Sequence, residues 1–190
     1  MVKNQLVQLS LDNFKVEERG KNVQMRYKSA GIELLFTVTL LDDGRTLELS
    51  YEPTRDMKVE HVRLLDDCLW VTDVEKGYII VPVREGLMIP SNSGISFTRS
   101  FDTFSYEGCH MEILGIVKNK SAALVTWHDP YVTAEVKSTI NEGLAESKQV
   151  LSASLDLSKT AKTVKLQFLG EGDYVTIAKA YRQVAKKKGW

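Results

Sequence analysis

The chain has 190 residues, 43% of them hydrophobic and 26% charged, a composition typical of one soluble globular domain. Its 25 basic residues balance 25 acidic ones, so a broad nucleic-acid-binding surface is not expected. No apolar run reaches the roughly 20 residues of a membrane-spanning helix, and the first residues lack the apolar stretch of a secretory signal. Cys68 and Cys109 are too few for a disulfide framework, and either a disulfide or two buried thiols is possible.

Apolar and polar residues alternate with a period of two over most of the chain, as in strands with one buried face. The clearest runs are 23–27, 32–40, 47–51, 151–157 and 164–168. Residues with turn propensity, such as Asp43-Gly44, lie between strand-like runs, where tight hairpins are expected. The pattern predicts an all-β domain over residues 1–170, built as an antiparallel β-sandwich, with a closed barrel as the alternative.

The middle of the chain alternates less regularly. Residues 77–83 predict a buried strand, placed at an edge or a bulge because it contains a proline. Residues 84–94 are predicted to follow as a long polar loop, and loops on rigid sheets often carry binding groups. Arg84, Glu85 and Asn92 are therefore candidate ligand-binding residues. A simple connection in which Arg84 and Glu85 pair locally is the alternative.

A second candidate site lies at residues 127–131, which follow an apolar strand and contain a proline. The rings of Trp127 and Tyr131 are suited to stacking on a sugar while His128 and Asp129 bind its hydroxyl groups. In the alternative interpretation, Trp127 and Tyr131 cap the core and Asp129 closes a turn.

Two glutamates are candidates for a catalytic pair. Glu107 and Glu112 would serve as the acid and base of a glycosidase, because glycoside cleavage normally uses two carboxylates; solvated surface charges are the alternative. Cys109, His110 and His128 lack the spacing typical of a metal site. The sequence also lacks a phosphate-binding glycine-rich loop and a serine nucleophile motif, so no metal or cofactor is expected.

The final segment, 171–190, is predicted to be an amphipathic helix. Its apolar residues recur on one stripe, namely Tyr174, Ile177, Ala178, Tyr181 and Ala185. Asp173 is the expected N-cap and Gly189 the expected left-handed residue after the last turn. Because an apolar face needs a surface to lie on, this helix is expected to lead towards a further domain.

Two segments together resemble the N-terminal β-sandwich region of large glycoside hydrolases, similar in layout to the endo-α-N-acetylgalactosaminidase group. The first segment runs from Leu69 to Pro90 and contains the motifs Trp70-Val71-Thr72-Asp73 and Gly77-Tyr78-Ile79-Ile80. The second runs from Gly172 to Arg182. The resemblance implies a galactose-mutarotase-like supersandwich packed against a catalytic (β/α)8 barrel of the same parent chain. It also implies that the 84–94 loop reaches the rim of the barrel's active site, and that the protein is secreted or periplasmic. The catalytic carboxylates would belong to the barrel, so none is assigned here.

Three functions are thus open. The resemblance favours a non-catalytic accessory domain of a glycoside hydrolase, which packs against the catalytic barrel and lends it a loop. The second is a self-sufficient carbohydrate-binding module that uses the aromatic residues of 127–131 together with Trp70. The third is a free-standing glycosidase that uses Glu107, Glu112 or Asp129.

Overall fold

The computed structural model describes residues 7–54, 59–102, 106, 108–141, 148–158, 160 and 162–189. They form a short 3-10 turn at Leu11–Asn13, thirteen strands and the helix α1 (Tyr174–Lys187). The strands are β1 (Phe14–Arg19), β2 (Asn22–Ser29), β3 (Ile32–Leu40), β4 (Thr46–Pro53), β5 (His61–Thr72), β6 (Tyr78–Val81), β7 (Leu87–Pro90), β8 (Phe97–Asp102), β9 (Ile113–Lys118), β10 (Ser121–Trp127), β11 (Val132–Ile140), β12 (Gln149–Ser158) and β13 (Thr163–Glu171). Within this part of the chain, no helix is both long and apolar enough to cross a membrane.

The strands build two antiparallel sheets that face each other across one core. The larger sheet has nine strands in the order β1-β2-β3-β4-β13-β10-β9-β6-β7, and the smaller has four in the order β5-β12-β11-β8. Tyr51, Phe101 and Leu155 are among the side chains buried between them. The predicted antiparallel β-sandwich with one C-terminal α-helix is confirmed. Both sheets keep free edge strands, which argues against a closed barrel.

Two turns, between β9 and β10 and between β3 and β4, show how local chemistry connects neighbouring strands. Asn119 and Lys120, between β9 and β10, have φ angles of 48° and 61°, as a two-residue hairpin of the mirror-image type requires. Between β3 and β4, the Asp43 carboxylate accepts hydrogen bonds from the N–H groups of Arg45 at 3.0 Å and Thr46 at 2.9 Å. The pKa of Asp43 is lowered, mainly by the hydroxyl of Thr46 and then by the backbone of Arg45.

Helix α1 lies on the outer face of the nine-stranded sheet, over β9, β10 and β13. The carboxylate of its N-cap, Asp173, accepts the N–H groups of Val175 at 2.9 Å and Thr176 at 3.2 Å. Gly189, just past its C-terminus, has a φ of 82°. Both ends of the helix therefore form as predicted from the sequence.

The side chains that the helix buries differ in part from the predicted stripe. Ile177 and Tyr181 are buried on the sheet, with Ala180 and Val184 partly buried beside them, whereas Ala178 is exposed. The apolar face of the helix is thus covered by the sandwich itself.

Residues 84–94 are not one long loop, contrary to the prediction. Residues 87–90 form β7, which pairs with β6 and becomes the edge of the larger sheet, while residues 91–96 cross to β8 in the smaller sheet. The strand predicted at 77–83 is not at an edge, because β6 lies between β7 and β9. The proline at position 82 lies beyond the last residue of β6, so it removes no bond from this pairing.

Both cysteines are free thiols. Cys68 is exposed, whereas Cys109 is buried in the core. Burial, followed by the nearby charge of Asp102, raises the pKa of Cys109 to about 12. The Cys109 thiol is therefore protonated at neutral pH and behaves as a small core residue.

Candidate functional site

The 127–131 segment follows β10, and its tryptophan is part of the core. Trp127 is 3% exposed and packs in the cluster between the two sheets, so its ring offers no face to a sugar. The carboxylate of Asp129 accepts the N–H of Tyr131 at 2.7 Å, which is the geometry of an Asx turn. The structure thus favours the core-and-turn interpretation for Trp127 and Asp129, while Tyr131 stays 58% exposed.

His128 and Glu112 meet the end of helix α1. The ammonium nitrogen of Lys188 lies 2.8 Å from a carboxylate oxygen of Glu112 and 3.2 Å from Nδ1 of His128. The Glu112 and Lys188 side chains are only 16% and 19% exposed, so this partly buried ion pair joins the C-cap of helix α1 to the residue before β9. Glu107, the other candidate of the predicted catalytic pair, lies outside the described residues.

The turn before β7 is held by a histidine. The N–H of Arg84 donates to Nδ1 of His110 at 3.1 Å, and the N–H of His110 donates to the carbonyl of Pro82 at 3.0 Å. The guanidinium of Arg84 lies 4.3 Å from the ring centre of Tyr106, a cation–π contact. Arg84 has a φ of 51°, so this turn is held in a strained conformation by contacts from another segment.

The turn at 82–86 and the 127–131 segment lie at the same end of the nine-stranded sheet. β6 and β10 finish there and β9 begins there, because β9 runs antiparallel to both neighbours. His110 and Glu112, two positions apart in the chain, hold the turn and the end of helix α1 respectively. Glu85 and Asn92 are exposed on either side of β7.

A groove of about 650 Å³ runs between β7 and β8, the two strands that form one open side of the sandwich. We call it the edge groove. Its lining is mostly apolar and includes Leu87, Met88, Pro90, Ile95, Phe97 and Arg99. Leu87, Met88 and Ile95 are 41%, 46% and 62% exposed, so neighbouring apolar side chains are in contact with water along the edge groove.

The opposite edge of the larger sheet is different. β1 exposes the charged side chains Lys15, Glu17, Glu18 and Arg19, and Arg19 pairs with Glu17 at 2.7 Å. Charged side chains on an edge strand disfavour pairing with another chain. Among the described residues, the β7–β8 side thus combines exposed apolar side chains with an edge strand of each sheet.

The connection from β7 to β8 is anchored by buried polar side chains. The hydroxyl oxygen of Ser91 lies 2.7 Å from the carbonyl of Thr72 and 2.8 Å from that of Gly77, and its one hydrogen is shared between them. The side-chain amide of Gln149, which is 4% exposed, accepts the N–H of Gly94 at 2.9 Å and donates to the carbonyl of Ile95 at 3.1 Å. The edge groove is therefore preformed.

A smaller groove of about 340 Å³ lies on the outer face of the four-stranded sheet. We call it the Trp70 groove, because the indole of Trp70 is 43% exposed there. The described residues that line the two grooves include no Asp or Glu. Within the described part of the chain, no three His, Cys, Asp or Glu side chains are placed to hold a metal ion.

The comparisons with known proteins identify the fold. No protein-family model matches the chain, and no curated protein matches its sequence. Two solved structures of α-N-acetylgalactosaminidase NagBb from Bifidobacterium bifidum are similar: a quadruple mutant, with a TM-score of 0.70 and 12% identity, and a GalNAc complex, with 0.67 and 14%.

Each match covers 93% of this chain but 30% of the NagBb chain. At such low identity, the similarity shows the fold alone. It confirms the predicted resemblance to one β-sandwich domain of a larger glycoside hydrolase.

Proposed function

We propose that this chain is a non-catalytic accessory domain of a larger glycoside hydrolase. The observation that carries the proposal is the structural match, which takes in 93% of this chain and 30% of an α-N-acetylgalactosaminidase. Such a match is expected of one domain within a multidomain enzyme.

The edge groove is the surface on which the catalytic domain, a (β/α)8 barrel, packs in this proposal. Its exposed apolar side chains, Leu87, Met88 and Ile95, lose contact with water when another domain covers them, which stabilises the assembly. Arg84, Glu85 and Asn92 stand at the ends of β7. A barrel seated on the groove therefore has these polar side chains at its border, where they contribute to the rim of its active site.

Hydrolysis assays on the isolated chain and on the complete protein in which it occurs test this function. We expect the complete protein to release the aryl group from an aryl α-N-acetylgalactosaminide or another aryl glycoside, at a turnover on the order of 1–1,000 per second. The isolated chain is expected to give no turnover, because Glu112 is bound to Lys188 rather than directed into a groove.

The matched control is Glu112→Gln in the isolated chain, which is expected to change nothing in this assay. Turnover by the isolated chain that equals that of the complete protein would overturn the proposal. If that turnover also disappears in Glu112→Gln, the chain is a free-standing glycosidase.

A further inference from the structure

Trp70 presents one face of its indole ring on the outside of the sandwich. It alternates along β5 with the buried Leu69 and Val71, so its side chain points away from the core. The ammonium nitrogen of Lys118 lies 3.3 Å from the ring centre and covers one face through a cation–π contact. The opposite face is the one available for stacking on a ligand.

A hydrogen-bonded chain of side chains fixes this arrangement. Lys118 pairs with Glu75 at 2.9 Å, and the other carboxylate oxygen of Glu75 accepts the N–H and the hydroxyl of Thr72 at 3.1 and 2.9 Å. Burial works to raise the pKa of Glu75, but the bonds from Lys118 and Thr72 outweigh it and lower that pKa. Trp70 is therefore held in place before a ligand arrives, which reduces the entropy lost on binding.

Polar side chains of two further strands complete the groove. Ser152 lies opposite Trp70 in the register of β5 and β12, and Lys137 lies opposite Ser152 in the register of β11 and β12. Trp70, Ser152 and Lys137 thus form one row across the sheet. Thr139 and Asn141 line the same groove, so an aromatic face, hydroxyl groups, an amide and an ammonium group lie together.

This combination matches the chemistry of a sugar. A pyranose ring has an apolar face of C–H groups that packs on an indole, while its hydroxyl groups exchange hydrogen bonds with hydroxyl and amide side chains. Lys137 is exposed and forms no ion pair within the described residues, and the described residues that line the groove include no Asp or Glu. An anionic substituent on the sugar would therefore meet the positive charge of Lys137.

We propose that the Trp70 groove binds one acidic sugar residue of a glycan. The sugar ring stacks on the open face of Trp70, and its carboxylate or sulfate group pairs with Lys137. This site goes beyond the accessory role proposed above and does not rest on it, because the residues that form the groove all belong to this chain. In a larger hydrolase, the site would hold the glycan without taking part in its cleavage.

Titration of the ¹⁵N-labelled chain with pairs of methyl glycosides, followed by NMR, tests the site. Methyl glucuronide is compared with methyl glucoside, and the methyl glycoside of galactose 6-sulfate with that of galactose. We expect the acidic member of at least one pair to shift the indole N–H signal of Trp70 at millimolar concentration. The shifts should disappear in Trp70→Ala, because stacking on the ring is lost. Which pair responds distinguishes a carboxylate ligand from a sulfate ligand.

Substitutions of lysine residues test the ion pair with Lys137 separately from stacking on Trp70. Lys137→Gln is expected to weaken binding of the acidic sugar about fivefold, as the loss of one solvent-exposed ion pair does, and to leave the neutral sugar unaffected. Lys165→Gln is the matched control, because Lys165 lies on β13 in the other sheet and pairs with Glu48.

Three outcomes would overturn the proposal. The first is the absence of any shift at Trp70 with all four glycosides. The second is equal affinity for the acidic and neutral members of both pairs. The third is binding that survives Trp70→Ala but is lost in Tyr131→Ala, since it would assign the sugar to the 127–131 segment.

Discussion

Replacing Ile177 with alanine is expected to lower the free energy of unfolding by about 3 kcal/mol, within the range measured for buried isoleucine truncations. Ile177 is 1% exposed and packs with Ile113 and Leu124 on the outer face of the sheet. Gly115 lies directly beneath it, since a Cβ atom there would be 3.0 Å from Cδ1 of Ile177. The close approach leaves little room for neighbours to fill the cavity. Urea unfolding at equilibrium measures the change.

The matched control is Val175→Ala in the same helix. Val175 is 38% exposed, so its truncation is expected to change the free energy of unfolding by less than about 0.5 kcal/mol. If both variants unfold like the parent chain, helix α1 does not contribute to the stability of the sandwich. That result would indicate that the apolar face of the helix packs against another domain instead of the sandwich.

Replacing Gln149 with leucine is expected to destabilise the chain by about 2–3 kcal/mol, because a neutral hydrogen bond contributes roughly 1 kcal/mol and its loss leaves buried groups unpaired. The amide nitrogen of Gln149 lies within hydrogen-bond distance of the Ser93 hydroxyl at 3.0 Å, the Ser138 hydroxyl at 2.7 Å and the carbonyl of Ile95 at 3.1 Å, and its two hydrogens are shared among these acceptors. Leucine has a similar volume, so the effect isolates the polar contacts. The change in free energy is measured from the midpoint of urea unfolding, provided that the dependence of the free energy on urea concentration is the same in both proteins.

Gln167→Leu provides the control for this substitution. Gln167 makes one 3.5 Å contact with Asp43 at the surface, so its loss is expected to cost less than about 0.5 kcal/mol. Equal effects of the two variants would mean that Gln149 does not anchor the connection between β7 and β8. The edge groove would then not be preformed.

The parts of the fold that depend on neighbouring residues in the chain were predictable. Period-two alternation predicted the antiparallel sandwich, and the Asp43 turn and the ends of helix α1 formed where short-range chemistry places them. Such features follow from local propensity and capping rather than from tertiary contacts. β7 was missed because it has four residues and ends in a proline, which favours a loop on sequence grounds.

The exposure of Trp70 and the burial of Trp127 could not be predicted from the residues beside them. Trp127 ends a strand that is buried on both faces, because the core covers one and helix α1 covers the other. The apolar run at 122–125 in the same strand is the feature that indicates this, since strands buried on both faces lose their alternation. Trp70 lies on the solvent face of an edge strand, which depends on strand order rather than on sequence pattern.

The ion pair of Lys188 with Glu112 joins residues 76 positions apart. A lysine near a helix C-terminus complements the helix dipole, but its partner in another segment does not follow from the residues beside it. Contacts between residues so far apart in the chain depend on the whole fold. The structure therefore differs more from the sequence-based prediction at the candidate site than in the fold.

Amide hydrogen exchange tests most directly whether this sandwich serves as an accessory domain that packs through its edge groove. Exchange is measured for β7, β8 and β1 in the isolated chain and in the complete protein. A covering domain is expected to slow exchange at β7 and β8 by at least about tenfold while leaving the charged edge at β1 unchanged. Equal exchange at β7 and β8 in the two proteins, or protection at β1 instead, would contradict the account.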